Sequence, residues 1–150
     1  MKNQEAKDEF IKLWGALGSQ WGINRSMAQI HALLLLSHES LSTEDIMEQL
    51  LLSRGNANMN IRELINWNLI YKEIVPGERK EYFKAEHDVW TIATRIITER
   101  KKRELMPAQR LIKKIAGETL QEGNEESKHI KKTFSELDQL IGRIDQLSAL

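Results

Sequence analysis

Apolar positions in the first third of the chain recur with a helical period. Phe10, Trp14, Leu17 and Trp21 step by four, three and four, which predicts a helix over residues 4–18. The three glycines of "GALGSQWGIN" weaken that helix and mark its end. A second helix starts after Asn24 or Ser26; its body, "MAQIHALLLLSH", is apolar around most of its circumference and belongs in the core. Residues 41–70, "LSTEDIMEQLLLSRGNANMNIRELINWNLI", continue as if in one long helix, yet their interior holds Ser53, Gly55 and the three asparagines Asn56, Asn58 and Asn60 in close succession, all weak helix formers. Caps account for the serines. Ser42 precedes Asp45 by three, the order of a capping box, and starts a short helix over Thr43 to Leu50; Ser53 caps another from Arg54 to about Asn66.

Two short helices joined by a three-residue turn and preceded by a buried helix form a helix-turn-helix, whose second helix commonly enters the DNA major groove. At about 100° per residue, Ala57, Ile61 and Leu64 share one sector and face the core. Gly55, Met59 and Arg62 then lie near the opposite pole, with Asn56 and Asn58 on its flanks. This short, polar face suits close approach to a duplex. Glycine leaves room for a phosphate backbone, Asn matches an adenine edge, and Arg matches guanine or a phosphate. Ser53 and Arg54 complete the candidate DNA-binding set at the start of the helix. The plainer reading of the asparagines is that they cap and decorate an exposed helix.

The stretch that follows is the one non-helical part of the chain. "NLIYKEIVPGERKEYFKAEH" holds two β-prone runs, Leu69 to Val75 and Glu81 to Ala85, around a turn in which Pro76 and Gly77 fit adjacent positions. Leu69, Tyr71 and Glu73 alternate with Ile70, Lys72 and Ile74, so one face of this hairpin is expected to pack on the helices. Its tip is a wing carrying Arg79 and Lys80, which are candidates for a minor-groove or phosphate contact or, more plainly, a solvated turn.

Beyond the wing, a helix is predicted over Asp88 to Glu104, with "RKKR" (Arg100 to Arg103) at its solvated end, where cations also favour the C-terminal dipole. Consecutive charges point all around a helix, so this run makes no single-sided binding stripe. Leu105 to Ala116 is helical again, and "GETLQEGNEES" reads as a loop. From about Glu125 to Leu147, Ile130, Phe134, Leu137, Ile141 and Ile144 step by four, three, four and three, a heptad-like seam broadened by Leu140 and Leu147. That seam is to be buried against the chain's own helices, Leu105 to Ala116 or Phe10 to Leu17, or against a second copy of the chain.

Composition narrows the class without redirecting it. The 150 residues, 41% hydrophobic and 29% charged, fit one globular domain with protruding helices, and no window approaches a membrane span. The N-terminus is charged rather than signal-like, which predicts a cytoplasmic protein. Without cysteine there is no disulfide framework, thiolate metal site or thiol redox chemistry. Lys and Arg number 22, as do Asp and Glu, so no global basic field points to nucleic acid; positive charge is concentrated instead between residues 51 and 114. The histidines His31, His38, His87 and His129 lack ligand spacing. His31 and His38, seven apart, are read as structural rather than as a metal pair, with His31 in or beside the core. No phosphate loop or nucleophile motif is present, so an enzyme is not expected and no cofactor is implied.

The order of the helices, the serine-arginine-glycine entry at Ser53 to Gly55, the exit "NIRELINWNLI", the wing and the arginine-rich helix together resemble bacterial winged-helix transcription regulators of the MarR superfamily, most closely its GbsR-like branch. The likeness spans nearly the whole chain. It departs at Asn68, where such families often have glycine, though Asn tolerates the positive φ required there. The resemblance implies a mainly α fold with a small β-hairpin: a winged helix-turn-helix domain with N- and C-terminal dimerisation helices. On this reading residues 1–24 form an N-terminal helix joining the dimer interface, residues 25–87 the DNA-binding domain and residues 88–150 the helical dimerisation region. The interface would comprise Phe10, Trp14, Leu17, Ile130, Phe134, Leu137, Ile141 and Ile144. The implied function is that of a homodimeric regulator, a repressor or alternatively an activator of a nearby operon, bound to double-stranded DNA at a pseudo-palindromic operator and open to a small-molecule effector whose identity the sequence does not give. Some GbsR-like regulators are associated with choline and glycine betaine metabolism. Trp14, Trp21, Trp67 and Trp90, with Tyr71, Tyr82 and Phe83, would supply faces for a quaternary ammonium or simply pack the core. The competing reading is a winged-helix module that binds protein, consistent with the neutral total charge.

Overall fold

The computed structural model describes residues 1–20, 22–118 and 123–148. Trp21, the loop residues 119–122 and the Leu147 side chain, each of which entered the sequence reading, lie outside the described residues. The chain divides into two compact units, Met1–Ile92 and Ala93–Leu150.

The first unit begins with α1 (Asn3–Gln20) and α2 (Arg25–Leu36), which pack together. The sequence reading took the glycines of α1 as the end of a helix. Two of them are buried inside it: a Cβ on Gly18 would lie 2.8 Å from Ala28 Cβ, and one on Gly15 3.0 Å from Gln29 Cγ. They are there for close approach, and the chain turns only at Gly22, where φ is +81°. Asn24 caps α2, its Oδ1 accepting from Ser26 N–H at 2.8 Å. As the apolar run requires, α2 is buried through Met27, Ala28, Ile30, His31, Ala32, Leu33 and Leu34.

His31 is 3% exposed. Its Nδ1 accepts from Trp14 Nε1–H at 3.3 Å, and Trp14 stacks on Phe10 with ring centroids 5.5 Å apart. An accepting Nδ1 puts the proton of the neutral ring on Nε2, a buried atom with no hydrogen-bond partner. Burial pushes the His31 pKa down to about 4, so the ring is neutral at physiological pH. His38 lies beyond the end of α2 with an exposed side chain, so the two histidines share no helical face. Among the described residues no three carboxylates or histidines gather as a metal site, and no helix is long and apolar enough to cross a membrane.

Next come β1 (Leu41–Ser42), α3 (Thr43–Leu50) and α4 (Arg54–Asn66). The capping box forms as read: Asp45 N–H donates to Ser42 Oγ at 3.1 Å and Ser42 N–H to Asp45 Oδ2 at 3.0 Å. Leu51 leaves α3 in the left-handed region (φ 55°), turning the chain toward Ser53, which caps α4 by accepting from Asn56 N–H at 3.2 Å. At its other end α4 closes in a Schellman motif: Asn68 N–H donates to Ile65 O at 2.9 Å and Leu69 N–H to Leu64 O at 3.0 Å. Asn68 adopts φ 61° there, the conformation for which glycine is the usual choice.

The hairpin is β2 (Ile70–Glu73) and β3 (Tyr82–Ala85), shorter than the runs that predicted it. Its sheet has a third strand the sequence did not disclose: β1 pairs antiparallel with β3, placing Leu41 opposite Phe83 and Ser42 opposite Tyr82, in the order β1-β3-β2. Alternation holds on β3, where Phe83 and Ala85 are buried. It fails on β2, because Leu69 and Ile70 are both buried while Ile74 is exposed, the hairpin having left the helices by then. Ile30 and Leu34 of α2, Ile46 of α3, Leu64 of α4 and Ile70 of β2 form the centre of this core. Each contributes about 1.5–3 kcal/mol by burial.

Helix α5 (Val89–Arg100) runs from the first unit into the second. The expected helix end at Glu104 is not there. Residues Lys101–Leu105 form a π turn, and the backbone continues directly into α6 (Met106–Glu118). Pro107, in the first turn of α6, has no N–H and its ring opposes the carbonyl four residues back; the wider π turn just before it opens the helix at that point. The "RKKR" run is therefore mid-helix. Among the described residues, three of its four charges meet neighbours: Arg100 meets Glu104, Arg103 meets Glu99, and Lys101 meets Asp145 at 2.6 Å. Asn124 caps α7 (Glu125–Ser148) through Ser127 N–H at 2.8 Å. Helices α6 and α7 pack on each other, with Gln109 Nε2 donating to Asp138 Oδ1 at 2.9 Å. Ile141 is buried, Ile130 and Phe134 are half-buried, and Leu137, Leu140 and Ile144 remain exposed.

Candidate nucleic-acid interface

The residues singled out on α4 fall on the faces their spacing required. Ala57, Ile61 and Leu64 are buried; Arg54, Gly55, Met59 and Arg62 are exposed; Asn56 and Asn58 lie half-buried between them. Met59 shows 56% of its surface, and a Cβ on Gly55 would meet nothing within 4 Å. Gly55 is therefore required neither by packing nor by backbone conformation. What it supplies is room in front of the helix.

The start of α4 combines several sources of positive potential. Its first backbone N–H groups point outward at the positive end of the helix dipole, with Ser53 satisfying only one of them. Arg54 lies over Glu44 on α3, Nη1 to Oε1 3.2 Å. Bonding to its own backbone N–H holds the Glu44 carboxyl below the usual carboxylate range, with further help from Arg54 and Lys80. Lys80 thus sits close enough to this corner to be felt there, although it belongs to the wing. Both partners of the Arg54–Glu44 pair are well exposed, so the pair constrains the guanidinium only weakly.

Between α4 and the sheet lies a hollow of about 310 Å³ lined by Asn58, Ile61, Arg62, Ile65, Lys72, Glu81 and Phe83. Arg62 and Asn58 line it from α4, and Lys72 and Glu81 face each other across the hairpin at 2.7 Å. Beyond that ion pair the wing reaches its tip. Gly77 has φ +83° and Glu78 N–H donates to Val75 O at 3.1 Å, a turn that leaves Arg79 and Lys80 exposed.

Sequence reasoning missed two residues of this region. Asn60 on α4 is 2% exposed, and its Nδ2 donates both to the Asn56 carbonyl oxygen at 3.0 Å and to Asn56 Oδ1 at 2.7 Å. Ser26 on α2 accepts at Oγ from Asn56 Nδ2, 3.3 Å away. A polar residue three positions after Ala57 and one before Ile61 was the only available hint of Asn60. Ser26 was read only as one of two candidate starts of α2, and nothing in the sequence pointed to its contact with α4.

The arrangement is that of a winged helix-turn-helix: α3 and α4 joined by a short turn, followed by the β2–β3 wing. Residues 21–81 match the model of the MarR family. The matched segment runs from the start of α2 to the end of the wing turn, the part of the chain just described. A solved structure described as the crystal structure of a transcriptional regulator superposes with a TM-score of 0.63 at 19% sequence identity, covering 97% of this chain and 99% of that one. At that identity the likeness is one of fold, and it extends over both the MarR-type segment and the helices after it. No curated protein matches the sequence.

Proposed function

We propose that the chain is a sequence-specific DNA-binding transcription regulator, a repressor acting in the cytoplasm as a homodimer. The observation that carries this reading is the outward face of α4, where Gly55, Met59 and Arg62 lie exposed with Asn58 beside them on a helix fixed at both ends. On this reading α4 enters the major groove: Asn58, Met59 and Arg62 meet base edges, Ser53, Arg54 and Gly55 meet the phosphate backbone, and Arg79 and Lys80 of the wing reach the adjacent minor groove or its phosphates. Asn56 belongs to the same surface, with its amide turned toward Ser26 and Asn60. Residues 25–87 are the DNA-binding part, and residues 1–24 and 88–150 supply the dimer contacts. The exposed Leu137 and Ile144, in line with Ile130, Phe134 and Ile141, support a second copy on α7, and Phe10, Trp14 and Leu17 on α1 join it. The serine-arginine-glycine entry and the "NIRELINWNLI" exit support assignment to the GbsR-like branch, with control by a small molecule.

Selection of bound duplexes from a random pool, with purified full-length protein at near-physiological salt, tests this directly. An inverted repeat with half-sites about ten base pairs apart is the expected outcome. Against that sequence, Arg62→Ala should relax discrimination at one base pair by about 1–3 kcal/mol, whereas Arg79→Ala should weaken all sequences alike and flatten the salt dependence. No enrichment at any salt would instead favour a winged-helix module that binds protein.

A further inference from the structure

We infer that Asn56 is a positioning residue rather than a base reader, and that Ser26 on α2 acts through it to set the first turn of α4 for DNA recognition. The inference rests on the reading of α4 as the DNA-reading helix. Its basis is a chain of hydrogen bonds whose direction can be deduced. A backbone carbonyl only accepts, so the atom Asn60 presents to the Asn56 carbonyl must be its nitrogen. The same nitrogen lies 2.7 Å from the Asn56 side chain, which must therefore offer its oxygen there and direct its own nitrogen to Ser26 Oγ. Both ends of the Asn56 amide are thus engaged inside the protein.

Bidentate recognition of adenine needs the oxygen and the nitrogen of one amide presented together to the groove. Asn56 turns its oxygen toward a residue that is 2% exposed, so it would have to give up its bond to Asn60 to read a base. Left in place, the chain joins two helix starts. Ser26 stands in the first turn of α2, with its N–H held by the Asn24 cap, and Asn56 in the first turn of α4, with its N–H held by the Ser53 cap. Two capped turns joined by a side-chain bridge hold the leading end of α4 at a fixed rotation against α2. Rotation about the helix axis is what decides where Asn58, Met59 and Arg62 point. In this arrangement those three residues carry the sequence information, and Asn56 carries the angle at which it is presented.

The test uses the full chain with Ser26→Ala, Ser26→Thr, Asn56→Ala and the Ser26→Ala/Asn56→Ala pair. Each is assayed by duplex selection and titration, and by amide hydrogen exchange over α4 in the free protein. Ser26→Ala and Asn56→Ala should each lower affinity about three- to tenfold for every duplex, with the selected sequence unchanged. The pair should lose no more than either alone, and Ser26→Thr, which keeps the hydroxyl, should restore binding. Loss of preference at one base pair in Asn56→Ala, with Ser26→Ala binding as wild type does, would overturn the inference by making Asn56 a reader. Should the wild-type chain select no duplex, the DNA reading fails, and hydrogen exchange still decides the bridge. Faster exchange in the first turn of α4 in both single variants, restored in Ser26→Thr, supports it; unchanged exchange overturns it.

Discussion

The two units of this molecule treat their apolar residues in opposite ways. In Met1–Ile92 one core takes in Ile30, Leu33 and Leu34 of α2, Ile46 of α3, Ile61 and Leu64 of α4 and Ile70 of β2, and those at its centre, such as Ile30, Ile46 and Leu64, are essentially inaccessible; the exposed Leu51 and Ile74 of this unit stand singly at turns. In Ala93–Leu150 the amphipathic helices α6 and α7 leave Leu111 at 57% and Leu140 at 53% exposure, together with Leu137 and Ile144. A helix that shows a regular apolar stripe to water has not completed its burial within its own unit. The core of the first unit is closed by contacts the chain makes with itself, whereas part of the apolar stripe of the second is left open.

Substitutions can break or sharpen that contrast. The largest effect should come from Ile46→Ala, where deleting a fully buried side chain costs roughly 2–5 kcal/mol, measured by urea unfolding. The same readout across pH isolates His31. Its folded pKa of about 4 lies below the unfolded value of 6.5, so the unfolded chain binds the extra proton. Stability should be complete above about pH 6.5 and decline toward pH 4, by on the order of 3 kcal/mol at the lower end. His31→Leu should flatten that decline relative to the wild-type chain; an identical slope in both would show that His31 does not cause it. Smaller again, Ser42→Ala should remove about 1 kcal/mol by taking away the α3 cap. Last, Leu140→Glu should change unfolding by less than about 0.5 kcal/mol at low protein concentration. At high concentration it should abolish any concentration dependence of Tm and shift sedimentation toward the monomer. If the variant sediments as the wild-type chain does, the exposed stripe is not the dimer contact.

The parts of the fold legible in the sequence are those decided within a few residues. The Ser42–Asp45 box, the Ser53 cap and the positive φ of Asn68 all depend on groups no more than about five positions apart, so local spelling suffices; the start of α2 was narrowed only to Asn24 or Ser26, and the cap is Asn24. The faces of α4 were legible for the same reason, since helical period alone sorts Ala57 from Met59. Features built from distant partners were not. Strand β1 is two residues long and exists because it meets β3 about forty positions later. The bridge from Ser26 to Asn56 spans thirty positions and follows no period. Gly15 and Gly18 show a different obstacle: a glycine that ends a helix and a glycine that admits a neighbouring helix are the same letter, and only the position of α2 distinguishes them. The π turn before Pro107 has no such local signature either, which is why the sequence predicts a helix end at Glu104 where the backbone runs on.

Ser42 holds two offices at once. Its backbone lies opposite Tyr82 at the root of the wing, while its side chain starts α3. The hairpin and the first helix of the helix-turn-helix therefore meet at one residue, in addition to the hairpin's packing on α2 and α4. Because the strand pairing is made by the backbone and the cap by the hydroxyl, replacing the side chain should loosen the start of α3 while leaving the third strand in place.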